Sequence, residues 1–291
     1  MIHSIQSDLF TAEINDKGAE LYSLFSKKTK TEYLWQGDPA VWDQRAPVLF
    51  PIVARLKDGK YSYNGKDYNM SIHGFVLDAP FSTLGSKGNS IILTYEDTPE
   101  TQAIYPFSFT FRVIFTLHGN ALETVYQVIN KTDGPMYFSC GSHEGYRCPR
   151  NEDETFEDYY LEFEKEAVYS SLLSSPDVLL TKSTYPVIEN EKILPLSYEL
   201  FSNDSIVFAN VPSNRVTLCS RKSAARVQIA YEDCPNLALW TRPKASYICI
   251  EPWYGLPDFE DTDGQLVNKP GIIALEKGDV FSWKHTTTVF E

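Results

Sequence analysis

The sequence predicts a mainly β fold, a large antiparallel β-sandwich, on three observations. First, apolar residues recur with a period of two. Over residues 107–117 one face carries Phe107, Phe109, Phe111, Val113, Phe115 and Leu117, and the other Ser108, Thr110, Arg112, Ile114 and Thr116. Such alternation marks a strand with one face in a core. Second, Asn64-Gly65 separates Tyr61-Ser62-Tyr63 from Lys66-Asp67-Tyr68, and these two residues accept the positive φ that a tight hairpin needs. Third, no long stretch shows the 3.6-residue period of a helix.

The remaining elements follow along the chain. His118-Gly119-Asn120 turns the chain, and residues 122–129 return as the partner strand. Further strands are expected at 11–15, 19–25, 90–95, 159–164, 206–208, 216–219, 226–231, 237–240, 247–250 and 282–290. Residues 38–43, opening on Asp38-Pro39, are read as a short helical turn. No Gly/Ser linker, charge block or fixed repeat interrupts the chain, so residues 1–291 are read as one domain of two twisted sheets packed face to face. Long loops at 130–135, 148–157 and 252–270 are the places for function.

Composition narrows the function. With 39 acidic and 26 basic residues the net charge is −13. That field repels phosphate backbones, which argues against nucleic acid and favours a neutral small molecule over a highly anionic one. Aromatics make up 14% of the chain, suited both to strands and to stacking on sugar rings. The five cysteines, odd in number and without C-x-x-C spacing, read as free thiols of a reducing cytoplasm rather than as disulfides or a zinc site. The N-terminus lacks the basic and apolar regions of a secretory signal, and no apolar run approaches the ~18 residues that span a bilayer.

Three segments carry candidate chemistry. Ile248-Cys249-Ile250-Glu251-Pro252-Trp253-Tyr254-Gly255 sets a carboxylate at the end of an apolar strand, followed by a proline and two large aromatics. Burial there would raise the pKa of Glu251 and make it a stronger base when ionised; a solvated strand-end glutamate is the plain alternative. Gly141-Ser142-His143-Glu144 opens the backbone beside a histidine, the side chain best matched to proton delivery near neutrality. Ile72-His73-Gly74-Phe75 places a second histidine where a hairpin strand resumes, although packing at a strand end is the more frequent explanation of such a residue. Arg55 follows an apolar run, and its planar fork can grip neighbouring hydroxyls or form a structural ion pair. Asp204 could accept hydrogen bonds from hydroxyls or simply cap a turn. His285 shares a face with Phe281, Trp283 and Val289 and reads as a core histidine. No histidine or cysteine spacing supports a metal, no glycine-rich phosphate loop or nucleophile elbow appears, and neither metal nor cofactor is expected.

With those residues in hand, the chain resembles the aldose 1-epimerase (galactose mutarotase-like) superfamily, in the branch of the LacX proteins. The resemblance runs nearly end to end. It is carried by Asn15-Asp16-Lys17-Gly18-Ala19-Glu20-Leu21, by the run from Ala46 through Arg55 to Gly59, and by Ile72-His73-Gly74-Phe75 and Tyr105-Pro106-Phe107. The His143 and Glu251 segments and Leu275-Glu276-Lys277-Gly278-Asp279 complete it. The resemblance implies a galactose mutarotase-like β-sandwich with a sugar site across one sheet. It also implies an isomerase that interconverts the α and β anomers of a hexose.

On this footing His143 matches the histidine that protonates the ring oxygen and Glu251 the glutamate that takes the proton from the C1 hydroxyl. His73, Arg55 and, more loosely, Asp204 match substrate-binding positions. Phe75, Tyr146, Trp253 and Tyr254 are expected to offer apolar faces to the sugar ring. The branch has Gly-Gly-His-Pro where this chain has Gly141-Ser142-His143-Glu144. Two other functions compete: a hexose-6-phosphate mutarotase, needing Lys57, Arg45 or Arg147 near Arg55, and a non-catalytic sugar-binding protein. A glycosidase built on Glu144 and Glu251 would need its carboxyls ~5–9.5 Å apart across the sugar. A cytoplasmic monomer or homodimer acting on a free hexose is the expectation.

Overall fold

A computed structural model describes residues 1–291. Its dominant feature is one 15-stranded sheet whose pairings are all antiparallel. In hydrogen-bonding order it begins with Val48–Leu49, Cys140–Ser142, Tyr247–Tyr254, Asn236–Trp240, Ile206–Ala209 and Tyr159–Ser174. It continues through Arg215–Ser220, Arg226–Ala230, Val280–Phe290, Ala121–Asn130, Phe109–His118, Ser90–Glu96 and Ser82–Lys87. Glu144–Arg147 also pairs with Tyr247–Tyr254, and Leu180–Pro195 with Tyr159–Ser174. Ile2–Gln6, Phe10–Asn15 and Glu20–Ser26 form a separate three-stranded sheet.

The expected two layers arise from this single ladder bending back on itself. Phe50, beside the first strand of the order, stacks on Phe111 near the far end, with ring centroids 4.8 Å apart. The Trp283 indole N–H of Val280–Phe290 donates to Cys140 Sγ of Cys140–Ser142 at 3.3 Å. Strands remote in the ladder thus meet face to face, and a core of 62 buried residues from Ile5 to Val289 fills the space between them. The alternating face of Phe109–His118 enters this core as predicted, through Phe109, Phe111, Val113, Phe115 and Leu117.

Local rules are obeyed where the sequence signals were strong. The Lys60–Tyr63 and Lys66–Asn69 hairpin turns on Asn64 (φ 50°) and Gly65 (φ 74°). Residues 38–43, expected to be helical, instead form hydrogen-bonded turns in which the N–H groups of Val41 and Trp42 both bond Asp38 O. The α-helix of the chain lies at Pro99–Ile104, where Thr98 accepts from the Thr101 N–H and Thr101 reaches back to the Thr98 N–H. No helix is long and apolar enough to cross a membrane.

The loop after Tyr247–Tyr254 is pinned by a buried ion pair. Lys269 Nζ donates to Asp258 Oδ1 at 2.6 Å, and Asp258 Oδ2 accepts the Lys57 N–H at 2.9 Å. Asp258 also donates its own N–H to Arg55 O. Burial pulls Lys269 below its ordinary pKa while the Asp258 charge opposes that shift. Lys269→Met would strand a buried carboxylate. A loss of about 3–5 kcal/mol in unfolding free energy is expected by urea titration, part of it recovered by adding Asp258→Leu.

Candidate active site

Antiparallel register builds the site. Gly141 pairs with Trp253 and Glu144 with Ile250. Carrying that register across the gap between the two pairs sets His143 directly opposite Glu251. Both project to the same face of the sheet, and Nε2 of His143 lies 3.3 Å from Oε2 of Glu251. On the other side of Glu251 the neighbouring strand presents Ala238, whose small side chain leaves room above the carboxylate.

Two glycines let large rings approach this pair. A Cβ on Gly141 would lie 2.6 Å from Cδ1 of Trp253, and one on Gly145 would lie 2.9 Å from Cζ3 of Trp42. Trp42 and Trp240 flank the imidazole of His143, with ring centroids at 5.2 and 5.7 Å. The result is a cleft of about 300 Å³. His143, Glu251, His73, Arg55, Asp204 and Trp253 all line it.

His73 is held in a left-handed conformation, φ 65°, on the wall of this cleft. Its Nδ1 accepts the Ala54 N–H at 3.0 Å, and its own N–H donates to Ala54 O at 2.9 Å. These reciprocal bonds fix both the tautomer, with the proton on Nε2, and the direction of the ring. Asp204, also left-handed at φ 75°, reaches the cleft from the loop before Ile206–Ala209.

Burial dominates the electrostatics. It drives His143 well below the ordinary imidazole value of 6.5, and the neighbouring His73 adds to the shift. His73 itself is lowered to about 4 by burial and by the Arg55 charge. Burial raises Glu251 well above 4.5, with the charges of Glu144 and Asp204 contributing and the Trp253 indole opposing. Between those two displaced titrations the His143–Glu251 pair holds a single proton. A proton shared by an imidazole and a carboxyl in contact is what a paired acid and base require.

Three expected ring-binding residues lie elsewhere. Tyr146 is fully buried in the core, its hydroxyl 2.7 Å from Thr287 Oγ1. Phe75 packs edge-on against Phe50 and beside Tyr105 and Phe109. Tyr254 packs on Phe281 and Trp283 and donates to Asp233 O. Alternation explains two of the three. Along Tyr247–Tyr254, Ile248 and Ile250 enter the main core while Glu251 and Trp253 face the cleft, so Tyr254 returns to the core side. Tyr146, paired with Ile248, does the same. Trp42, Trp240 and Arg242 line the cleft without having been singled out in the sequence. The alternation of 237–240 was the one signal that could have found Trp240.

Glu144 sits on the core side as well. Its Oε1 is 3.0 Å from Nε2 of the buried His285, beneath the sheet that carries Glu251. It is not a lining residue of the cleft, which removes the two-carboxylate glycosidase arrangement.

A β-sandwich of this topology has clear relatives. The family model described as aldose 1-epimerase matches residues 1–286. The chain is 34% identical over 298 aligned residues to the chromosomal protein LacX of Lactococcus lactis subsp. lactis, covering 99% of both chains. It superposes with a TM-score of 0.96 on a galactose mutarotase related enzyme from Lactobacillus acidophilus, at 34% identity and covering 100% of this chain and 98% of that one. A galactose mutarotase-like protein from Lactobacillus casei ATCC 334 gives a TM-score of 0.94 at 28% identity, with both chains fully covered. The chain therefore belongs to the aldose 1-epimerase family, a family of sugar isomerases, and within it resembles the LacX proteins.

Tyr146→Phe deletes the hydroxyl that meets Thr287. It is expected to lower the unfolding free energy by about 1 kcal/mol in urea while sugar turnover stays at the wild-type rate.

Proposed function

We propose that the protein interconverts the α and β anomers of a hexose by acid/base opening and reclosure of the ring. The observation that carries this reading is the 3.3 Å juxtaposition of His143 and Glu251 on the floor of a cleft of sugar size. Ring opening requires one group to protonate the ring oxygen and another to take the proton from the C1 hydroxyl. His143 serves as the acid and Glu251 as the base. The aldehyde then turns about C1–C2, and the ring recloses on the other face with the two roles exchanged. In the protein without sugar the shared proton rests on the carboxyl, since burial disfavours both charges. Its transfer to the imidazole across the contact produces the reactive form without any change in proton count.

His73, through its free Nε2, together with Arg55 and Asp204, holds sugar hydroxyls, and Trp253, Trp42 and Trp240 supply apolar faces for ring C–H groups. A neutral hexose suits the cleft better than a phosphorylated one. Lys57 donates to Glu260 O and Arg45 to Tyr22 O and Gln36, and neither these two nor Arg147 lines the cleft. A purely sugar-binding role leaves the acid and base without purpose. The chain acts as a single unit, and its five buried thiols suit a reducing cytoplasm.

Polarimetry of freshly dissolved α-D-galactose and α-D-glucose tests this reading. His143→Asn and Glu251→Gln are each expected to slow the anomerisation by ~10²–10⁴-fold. A wild-type rate no faster than the spontaneous one would overturn the proposal.

The pH profile of kcat/KM supplies a separate check. Activity requires one proton on the pair, so it falls when pH drops through the lowered His143 titration and when pH rises through the raised Glu251 titration. The acid limb is therefore expected below the ordinary imidazole value of 6.5. In Glu251→Gln only His143 titrates, so the residual activity should lose the acid limb and fall as pH rises through the lowered His143 titration.

A further inference from the structure

Beneath the acid/base pair lies a side chain that the proton chemistry leaves unused. Cys249 stands two residues before Glu251 on the same face of Tyr247–Tyr254, packed with Trp42 and Tyr247. An imidazole nitrogen of His143, Sγ of Cys249 and a carboxylate oxygen of Glu251 all lie within 4.8 Å of one another. The three residues are 7%, 0% and 1% exposed. Glu251 Oε2 is buried and makes no aligned hydrogen bond, even though it touches the imidazole.

The spacing approaches that of a coordination shell. A tetrahedral ion with bonds of ~2.0–2.1 Å to nitrogen and oxygen and ~2.3 Å to sulfur holds its ligand atoms roughly 3.3–3.6 Å apart. Nε2 of His143 and Oε2 of Glu251 already stand at 3.3 Å. Sγ of Cys249 lies within 4.8 Å of an imidazole nitrogen of His143 and a carboxylate oxygen of Glu251, so a small side-chain shift would complete the shell. Imidazole, thiolate and carboxylate together form the donor set preferred by borderline-soft ions, and the thiol selects against magnesium and calcium.

We propose that His143, Cys249 and Glu251 form a binding site for a thiophilic divalent cation of the Zn²⁺ type, and that its occupancy inhibits the enzyme. The cation enters through the cleft, whose lining includes His143 and Glu251, and Cys249 ligates it from below. Burial keeps Cys249 protonated in the metal-free protein. The arriving charge expels that proton, together with the one held by the Glu251 carboxyl, to solvent as the metal–sulfur and metal–oxygen bonds form. Three protein ligands leave a fourth position open toward the cleft for water or a sugar hydroxyl. Inhibition follows because the ion occupies the lone pairs of both proton-transfer groups. This last part rests on the acid/base reading above; the binding itself does not.

The test uses the full-length protein dialysed against EDTA and then freed of chelator. Titration with Co²⁺ is expected to give a near-ultraviolet thiolate-to-cobalt absorption band that saturates at one ion per chain. The band should vanish in Cys249→Ser and in His143→Asn but persist in Cys234→Ser, whose thiol lies outside the cluster. Zn²⁺ affinity by equilibrium dialysis should fall at least ~10–100-fold in Cys249→Ser, the scale on which even an outer-shell partner acts. A band that survives in Cys249→Ser, or the absence of stoichiometric binding in the wild type, would overturn the site.

In polarimetry, stoichiometric Zn²⁺ should slow the wild type but not Cys249→Ser, each taken relative to its own metal-free rate. Binding of Zn²⁺ without slowing an active enzyme would overturn the inhibition. Should the protein prove inactive on hexoses, the cobalt band still decides the site.

Discussion

The site depends on a single constraint, the register of the antiparallel pairing between the chain around residues 140–147 and Tyr247–Tyr254. Because side chains alternate, residues directly opposite each other share a face. The pairing of Gly141 with Trp253 and of Glu144 with Ile250 leaves His143 and Glu251 no arrangement other than mutual contact. A slip of one residue would send either group into the core. The glycines at 141 and 145 matter for the same reason, since they allow Trp253 and Trp42 to close over the pair. The closing tryptophans keep water from the two groups, and the low polarity that results sets their proton affinities.

Burial sets the chemistry by acting on both groups in opposite senses. Desolvation disfavours charge on the imidazole and on the carboxyl alike, which lowers one pKa and raises the other. The pair is left with one proton and little electrostatic preference for a charged arrangement. Oε2 of Glu251 and Nδ1 of His143 are buried and without a hydrogen-bond partner. Groups left unsatisfied in a buried site cost stability, and the large core is what sustains them.

Much of this was legible in the sequence, and the failures have definite causes. The strands with one face in the core declared themselves by alternation, as in Phe109–His118 and Ala121–Asn130. Leu180–Pro195 did not, because most of its residues are exposed on both faces and no apolar period survives. The segment at 38–43 has the opening of a helix, yet its backbone turns to seat Trp42 against His143. His143, Glu251, His73, Arg55, Asp204 and Trp253 line one cleft. Tyr254 and Tyr146 do not, because alternation turns both to the core side of the sheet. Phe75 has a different cause. It follows the turn at Gly74, and its ring is claimed by Phe50 and Tyr105. No local pattern reports such a packing preference.

Glu144 is the residue where sequence and structure differ in an instructive way. Adjacent to the histidine, it reads as a second carboxylate at the site. The alternation that delivers His143 to the cleft must deliver Glu144 to the opposite face, where His285 meets it. A second histidine–glutamate contact therefore lies under the first, separated from it by the thickness of the sheet. Its charge still crosses that distance, because little between the two carboxylates screens it, and it contributes to the raised pKa of Glu251. Glutamate beside the histidine thus contributes nothing to the lining of the cleft. It acts on Glu251 from behind, making the carboxyl hold its proton more tightly than burial alone would dictate.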